Sequence, residues 1–253
     1  MGVLDGKVAL VTGAGQGIGR GISLAFASAG ADVAILERDA AHCESVVREV
    51  EARGQRAIGI AGSVRVKADC LRAVERTVAE LGAPTILVNN AIQTTSNVPF
   101  LNHSDDDMVA TFESGVMAAF WLMQACAPLM AEKGGGSIIN FGSGIGTFGT
   151  PGFASYAATK EAIRGMTRVA AHEWGPLGIR ANIICPFANS PGMLAYEQAA
   201  PDEYAALLAS VPLKRIGDCE DDLGALAVFL ASDAGSYLTA NTLMADGGSG
   251  TFR

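Results

Sequence analysis

Strand-length apolar runs alternate with helix-length segments along this 253-residue chain, and that rhythm constrains the fold more than any other feature. VALV, ILV and SIINF are continuously apolar, as strands covered on both faces must be. Strands are expected at Lys7–Val11, Asp32–Leu36, Arg56–Ile60, Thr85–Asn89, Ser137–Phe141, Arg180–Cys185 and Thr242–Ala245. Helices are expected over Gly17–Ala29, Ala40–Arg53, Val66–Leu81, Ser104–Glu132, Ser155–Trp174 and Asp221–Ala231. The alternation predicts an α/β protein with right-handed βαβ crossovers and a doubly wound parallel sheet. No linker, repeat or low-complexity tract interrupts it, so residues 1–253 are expected to form one domain.

Hydrophobic residues make up 49% of the chain and charged residues 17%, so much of it must be buried, in a core or against other subunits. The net charge of -8 argues against a nucleic-acid or anionic-membrane surface, since either needs a basic face. Cys43, Cys70, Cys126, Cys185 and Cys219 are widely spaced with no CxxC, and no His stands at ligand spacing beside them. Reduced thiols in a cytoplasmic protein are expected, and no metal site. The opening MGVLDGKVALVTG has no basic region ahead of an apolar stretch, so no signal peptide is expected. Ser114 to Ala131 carries no charge and is long enough to span a membrane, but it holds Gln124 and Pro128 and stands alone. It reads instead as a helix buried on most sides.

The first strand runs into TGAGQGIG, where Gly13, Gly15, Gly17 and Gly19 open a helix. Glycines there let the backbone turn tightly and approach a pyrophosphate, whose charge meets the helix's first amides and dipole. A tight turn of packing glycines is the plainer alternative. The second strand ends at Glu37, 18 residues beyond Gly19. Dinucleotide folds place an acid for the ribose hydroxyls at a spacing of about 20. A carboxylate repels a 2′-phosphate and favours NAD over NADP. The adjoining Arg38 could instead pair with such a phosphate, and Gln16 adds no positive charge.

The segment GSGIGTFGTPGFASYAATK holds Ser143, Tyr156 and Lys160. A Lys four residues after a Tyr is a common accident, and context raises its meaning. Both lie on one helix face, one turn apart, so both can approach one cofactor ribose. Ser143 follows the strand SIINF, at the carboxyl edge where ligands bind. A free phenol titrates near ~10; lowering that by about 3 units takes roughly 4 kcal/mol of differential interaction. The Lys160 ammonium is the expected supplier, helped by the nicotinamide's positive charge. The phenolate would take a hydroxyl proton as hydride leaves the same carbon, with Ser143 holding the substrate oxygen.

These residues resemble the short-chain dehydrogenase/reductase family along nearly the whole chain. The matching motifs are TGAGQGIG at Thr12–Gly19, NNA at Asn89–Ala91, Ser143, YAATK at Tyr156–Lys160, IRANIICP at Ile179–Pro186, the stretch PLKRIGDCEDDLGALAVFLASD, and DGG at Asp246–Gly248. Ser143 stands 13 residues before Tyr156, as the family pattern asks. The resemblance implies a single-domain Rossmann-like fold, a seven-stranded parallel sheet flanked by helices. It implies catalysis by Ser143, Tyr156 and Lys160. It also implies a nicotinamide cofactor held by Gly13, Gln16, Gly17, Ile18, Gly19, Glu37, Arg38, Ser63, Val64, Asn90, Tyr156, Lys160, Pro186 and Asn189. A homotetramer or homodimer follows, joined through the long fourth-crossover helix and the helix carrying YxxxK.

Four positions depart from the family pattern. Gly115 stands where the family carries a catalytic Asn; it can keep a local helix distortion but supplies no amide for the proton relay. Ile92 replaces the Gly of NNAG, Ser63 replaces an Asp after the third strand, and Phe187 replaces the Gly after Pro186. Neutral drift with local repacking is the plainer account of these changes.

The first functional expectation is an NAD-dependent dehydrogenase interconverting a neutral secondary alcohol and its ketone. The expected pocket segments Ala91–Phe100, Ser143–Ser155 and Phe187–Ala200 contain no Lys or Arg to hold an anionic substrate. Residues 187–215 break the rhythm, with Pro191, Gly192, Pro201 and Pro212 around a weakly helical DEYAALLAS, and read as a substrate lid or a long surface loop. The second expectation is a non-catalytic dinucleotide-binding sensor or scaffold, motivated by Gly115, Ile92 and Phe187. Such drift gives no reason to retain Ser143, Tyr156 and Lys160 together. A nucleotide-free, dehalogenase-like relative would be expected to lose the glycine turn and the Lys, and both are here.

Overall fold

A computed structural model describes residues 2–250. Among the described residues, seven strands form one parallel sheet in the order β3-β2-β1-β4-β5-β6-β7. They are β1 (Val8–Thr12), β2 (Asp32–Glu37), β3 (Ala57–Ala61), β4 (Ile86–Asn89), β5 (Gly136–Phe141), β6 (Ile179–Pro186) and β7 (Thr242–Ala245). The connecting helices are α1 (Gly17–Ser28), α2 (Ala40–Glu51), α3 (Lys67–Glu80), α4 (Asp105–Phe112), α5 (Ala118–Glu132), α6 (Gly144–Phe148), α7 (Ala154–Trp174), α8 (Pro191–Ala199), α9 (Pro201–Ser210) and α10 (Ala225–Ala231).

Successive strand side chains point to opposite faces, and each face is covered. Along β1, Ala9 and Val11 pack beneath α1 and α10 with Ile22, Phe26, Ala227 and Leu230. Val8 and Leu10 face the other layer, with Leu122, Met123, Ile138 and Ala170 from β5, α5 and α7. Two-sided burial is why the strands read as unbroken apolar runs. The chain builds outward from β1 through β2 and β3, then crosses to β4 on the other side. That reversal parts the loops at the carboxyl ends of β1 and β4 and opens a crevice.

The strands agree with the sequence reading to within a residue or two, and the long helix carries a feature of its own. Asp105–Glu132 is one helix by length, apolar enough in composition to cross a membrane. A single π turn, Glu113–Met117, separates α4 from α5. Ala119, Leu122, Met123, Cys126 and Met130 of α5 are buried in the sheet's second layer. The helix starts cleanly because Ser104 and Asp107 form a reciprocal capping box.

Residues 187–215 are more helical than the sequence reading expected. Pro191 and Pro201 lie in the first turns of α8 and α9, where a missing N–H costs nothing and a fixed φ favours the helix. Read as breakers, those prolines are in fact helix starters. The short α6, directly after Ser143, is also absent from the sequence reading.

Candidate active site

The crevice at the β1/β4 reversal holds a cavity of about 510 Å³. Its walls include Gly13, Gln16, Gly17, Ile18, Glu37, Arg38, Ser63, Val64 and Asn90 from the expected set. Arg65, Ile92, Gln93, Ser114, Ser190 and Pro191 also line it. Gly13 takes φ 62°, and a side chain there would meet the Ala91 backbone at 2.9 Å. Gly19 does not line the cavity. It is a contact glycine, whose Cβ would fall 2.4 Å from the Gly13 carbonyl oxygen, and it lets α1 sit against the turn.

The residues present fit a dinucleotide. Helix α1 has no acidic residue in its first turn, and its N-cap Gln16 makes no side-chain cap, which leaves the leading amides to an anion. Glu37 holds the turn from behind: its carboxylate accepts from the amides of Gly15 (3.0 Å), Arg38 (2.8 Å) and Asp39 (3.1 Å). A carboxylate has about four lone-pair sites, so this bracing leaves one for a ribose hydroxyl. Ser63 donates its amide to Asp69 at 2.9 Å, which holds the Asp69 carboxyl below its usual range.

Some residues that shape the site escaped the sequence reading. The Thr12 hydroxyl accepts from the amides of Asn90 (3.0 Å) and Ala91 (3.1 Å), tying the end of β1 to the loop after β4. Asn90 Nδ2 returns the tie, donating to the Thr12 and Gly13 carbonyls at 3.0 Å each. Thr12 lies inside the glycine motif, so its position was visible and its role was not. Arg65 bridges from the cavity rim to Glu113 in the π turn, at 2.7 Å. Ahead of and at the start of α8 the wall is Ser190 and Pro191. Pro186 closes β6, and Asn189 is exposed, its amide given to Gly217 at 2.9 Å.

Ser143, Tyr156 and Lys160 come together at the carboxyl edge. Ser143 caps α6, its Oγ accepting from Ile145 at 3.2 Å, and its side chain lies near enough to Tyr156 to pull the phenol's pKa down. Phe153 stacks edge-on against the Tyr156 ring at 6.4 Å. Lys160 is 4% exposed and lies 5.3 Å from the ring centroid of Tyr156. Its ammonium donates to the Phe141 carbonyl at 2.9 Å.

The electrostatics differ from expectation. Tyr156 is held above its ordinary pKa by burial, with Ser143 pulling the other way. Burial also pushes Lys160 down to about 8. The ammonium stands over the ring and bonds a carbonyl, and desolvation is the largest influence on the phenol. The resulting pair is a protonated phenol beside an amine whose own proton is loosely held.

A family model described as enoyl-(acyl carrier protein) reductase matches residues 13–250. The chain is 38% identical to a 12α-hydroxysteroid dehydrogenase from Clostridium sp. (strain ATCC 29733 / VPI C48-50), over 99% of both proteins. A short-chain type dehydrogenase/reductase from Mycobacterium ulcerans superposes with a TM-score of 0.91 at 28% identity, over 97% of this chain and 90% of that one. An NAD+-bound xylitol dehydrogenase superposes with a TM-score of 0.90 at 29% identity, over 97% of this chain and 99% of that one.

Proposed function

The chain belongs to the short-chain dehydrogenase/reductase family of oxidoreductases, and from that premise we propose that it interconverts a neutral secondary alcohol and its ketone, with NAD preferred to NADP. The observation that carries the proposal is the nearness of Ser143 to Tyr156, with Lys160 packed over the same ring, at the sheet edge that bears the cavity lined by the glycine turn and Glu37. A relative named for a hydroxysteroid substrate supports an apolar alcohol, as does the lack of Lys and Arg in the three pocket segments. An NAD+-bound neighbour and the Glu37 carboxylate support NAD. Relatives named as dehydrogenases leave the scaffold alternative without support.

A nicotinamide dinucleotide, held by the glycine turn, Glu37, Ser63, Val64 and Asn90, would supply hydride transfer. The chain's own residues handle the proton. The buried, protonated Tyr156 phenol donates to a ketone oxygen in the reducing direction and, as phenolate, takes the hydroxyl proton back in the other. Ser143 shares the substrate oxygen and aims it at the phenol. Lys160 stabilises the phenolate through charge across the ring. The free cysteines suit a cytoplasmic setting, and the exposed Phe112 and Phe120 of the long helix, with Val169 of α7, suit a homotetramer or homodimer.

The test is a fluorescence titration with NADH and NADPH followed by turnover on a panel of alcohols and ketones. Tyr156→Phe is expected to lower kcat by about 10²–10⁴-fold while NADH affinity stays within about 3-fold. Undiminished turnover in that variant would remove Tyr156 from the chemistry. Tighter NADPH binding would reverse the cofactor preference, and a 100-fold advantage for carboxylate or phosphate substrates would end the neutral-alcohol assignment.

A further inference from the structure

Two of the four positions that depart from the family pattern meet in space. Gly115 sits buried in the π turn. A Cβ built on it would stand 2.4 Å from Thr159 Cγ2, 3.5 Å from Ile92 Cδ1 and 3.5 Å from Ile163 Cδ1. Gly115 is not among the glycines with positive φ, so backbone conformation does not demand a glycine. Space does.

Thr159 cannot give way easily. It is fully buried, and a β-branched side chain on a helix is stiff at χ1. Ordinary carbon contact is about 3.5–4.0 Å, so a methyl at position 115 would have to move α7 and the π turn apart by roughly 1 Å. Thr159 directly precedes Lys160, whose ammonium is anchored on Phe141. On the other side, Ser114 accepts the Gln93 amide at 2.9 Å, and Ile92, Gln93 and Ser114 all line the cavity. A displacement at Gly115 therefore reaches both the proton-handling pair and the cavity wall.

We infer that Ile92, Gly115 and Thr159 are one packing unit that seats the catalytic helix, with Gly115 a positioning residue that acts on Lys160 through Thr159. The Thr159 methyl occupies the space a side chain at position 115 would enter, and Ile92 Cδ1 walls it at ordinary contact distance. This rests on the dehydrogenase reading for its effect on turnover, while the packing itself does not.

The experiment compares full-length wild type, Gly115→Ala, Thr159→Ser and the double variant by kcat and KM across pH, NADH affinity, and thermal midpoint without nucleotide. Thr159→Ser removes the opposing methyl and keeps the hydroxyl. Gly115→Ala is expected to cut kcat by about 10–100-fold with KM for the alcohol within about 3-fold, because roughly 1 Å of misplacement acts on the proton step. It should also shift the pH at which kcat is half-maximal and lower the thermal midpoint. Adding Thr159→Ser should bring kcat, NADH affinity and midpoint back to within about 3-fold, or a few degrees, of Thr159→Ser alone. Gly115→Ala with kcat within 2-fold of wild type would overturn the inference. So would a loss that Thr159→Ser does not relieve. Should Gly115→Ala fail to fold, a folded double variant supports the unit and an unfolded one overturns it. If wild type turns over no alcohol, the functional reading fails. NADH affinity and midpoint then still decide the packing unit, coupled values for it and additive values against it.

Discussion

Burial acts on Tyr156 and Lys160 in the same sense, against charge, and so drives their proton affinities towards each other. The phenol is held above its ordinary value and the ammonium is lowered from 10.5 to about 8. For stability the sign follows from proton counting. Between about 8 and 10.5 the unfolded chain keeps the Lys160 proton while the native chain has lost it, so stability rises with pH across that window. Below it, the whole cost of burying the ammonium is present. Wild type measured against Lys160→Met is therefore expected to gain in thermal midpoint as pH climbs from 8 towards 10, and a difference that stays flat over that range would contradict a buried, depressed lysine. At this scale Glu37 also has two tasks. It accepts from the Gly15 amide of the glycine turn and from the Arg38 and Asp39 amides after β2, and its remaining lone pair suits a ribose hydroxyl.

Among the elements, the contrast between α7 and the pair α8 and α9, which we propose as a lid, is the one with functional weight. Helix α7 buries Ser155, Thr159, Lys160, Ile163, Thr167, Ala170 and Ala171. Beneath it, Asn140 donates to Thr167 at 2.8 Å and accepts from Asn89 at 2.8 Å, a polar seam that fixes the helix over β4 and β5. Helices α8 and α9 have no buried residue. They touch each other through Tyr196 and Tyr204, with ring centroids 6.4 Å apart, and through the Tyr196 hydroxyl on Glu203 at 3.1 Å. Few buried contacts mean low local stability. Amide hydrogen exchange is expected to be faster in α8 and α9 than in α7 by at least about 100-fold, and to slow in the lid when NADH and a ketone analogue are both added. Equal protection in the two regions would show that the lid is part of the rigid scaffold.

For the molecule as a whole, the outward faces of the long helix and α7 carry apolar groups that a lone chain leaves in water. Phe120 is 43% exposed and Val169 is 56% exposed, and Val109 and Phe112 continue the surface. Burying such groups against a second copy is worth about 1.5–3 kcal/mol per large side chain. Light scattering is expected to report a dimer or tetramer for wild type and a smaller species for Phe120→Glu with Val169→Glu, because two charges would be desolvated at the contact. A monomeric wild type would remove the oligomer from the proposal. Since α7 carries Tyr156 and Lys160, dissociation should also lower turnover.

Residue spacing alone determined the sheet, the glycine turn ahead of α1, the acid at the end of β2 and the Ser–Tyr–Lys set. Each is written in one dimension: strands covered twice must be apolar throughout, a tight turn needs glycine, and two residues one helical turn apart share a face. The distortion that became the π turn at Gly115 was expected only from the resemblance to the family. Tertiary structure alone decided what those groups experience. That Ile92, Gly115 and Thr159 touch follows from how α7 seats against the long helix, and no periodicity in one segment reports its contact with another. That Thr12 holds the loop after β4, that Ser190 and Pro191 close the cavity, and that Tyr156 is raised and not lowered depend on burial and on neighbours from distant parts of the chain. Desolvation is a property of the surrounding volume, and it comes into being only when the layers close.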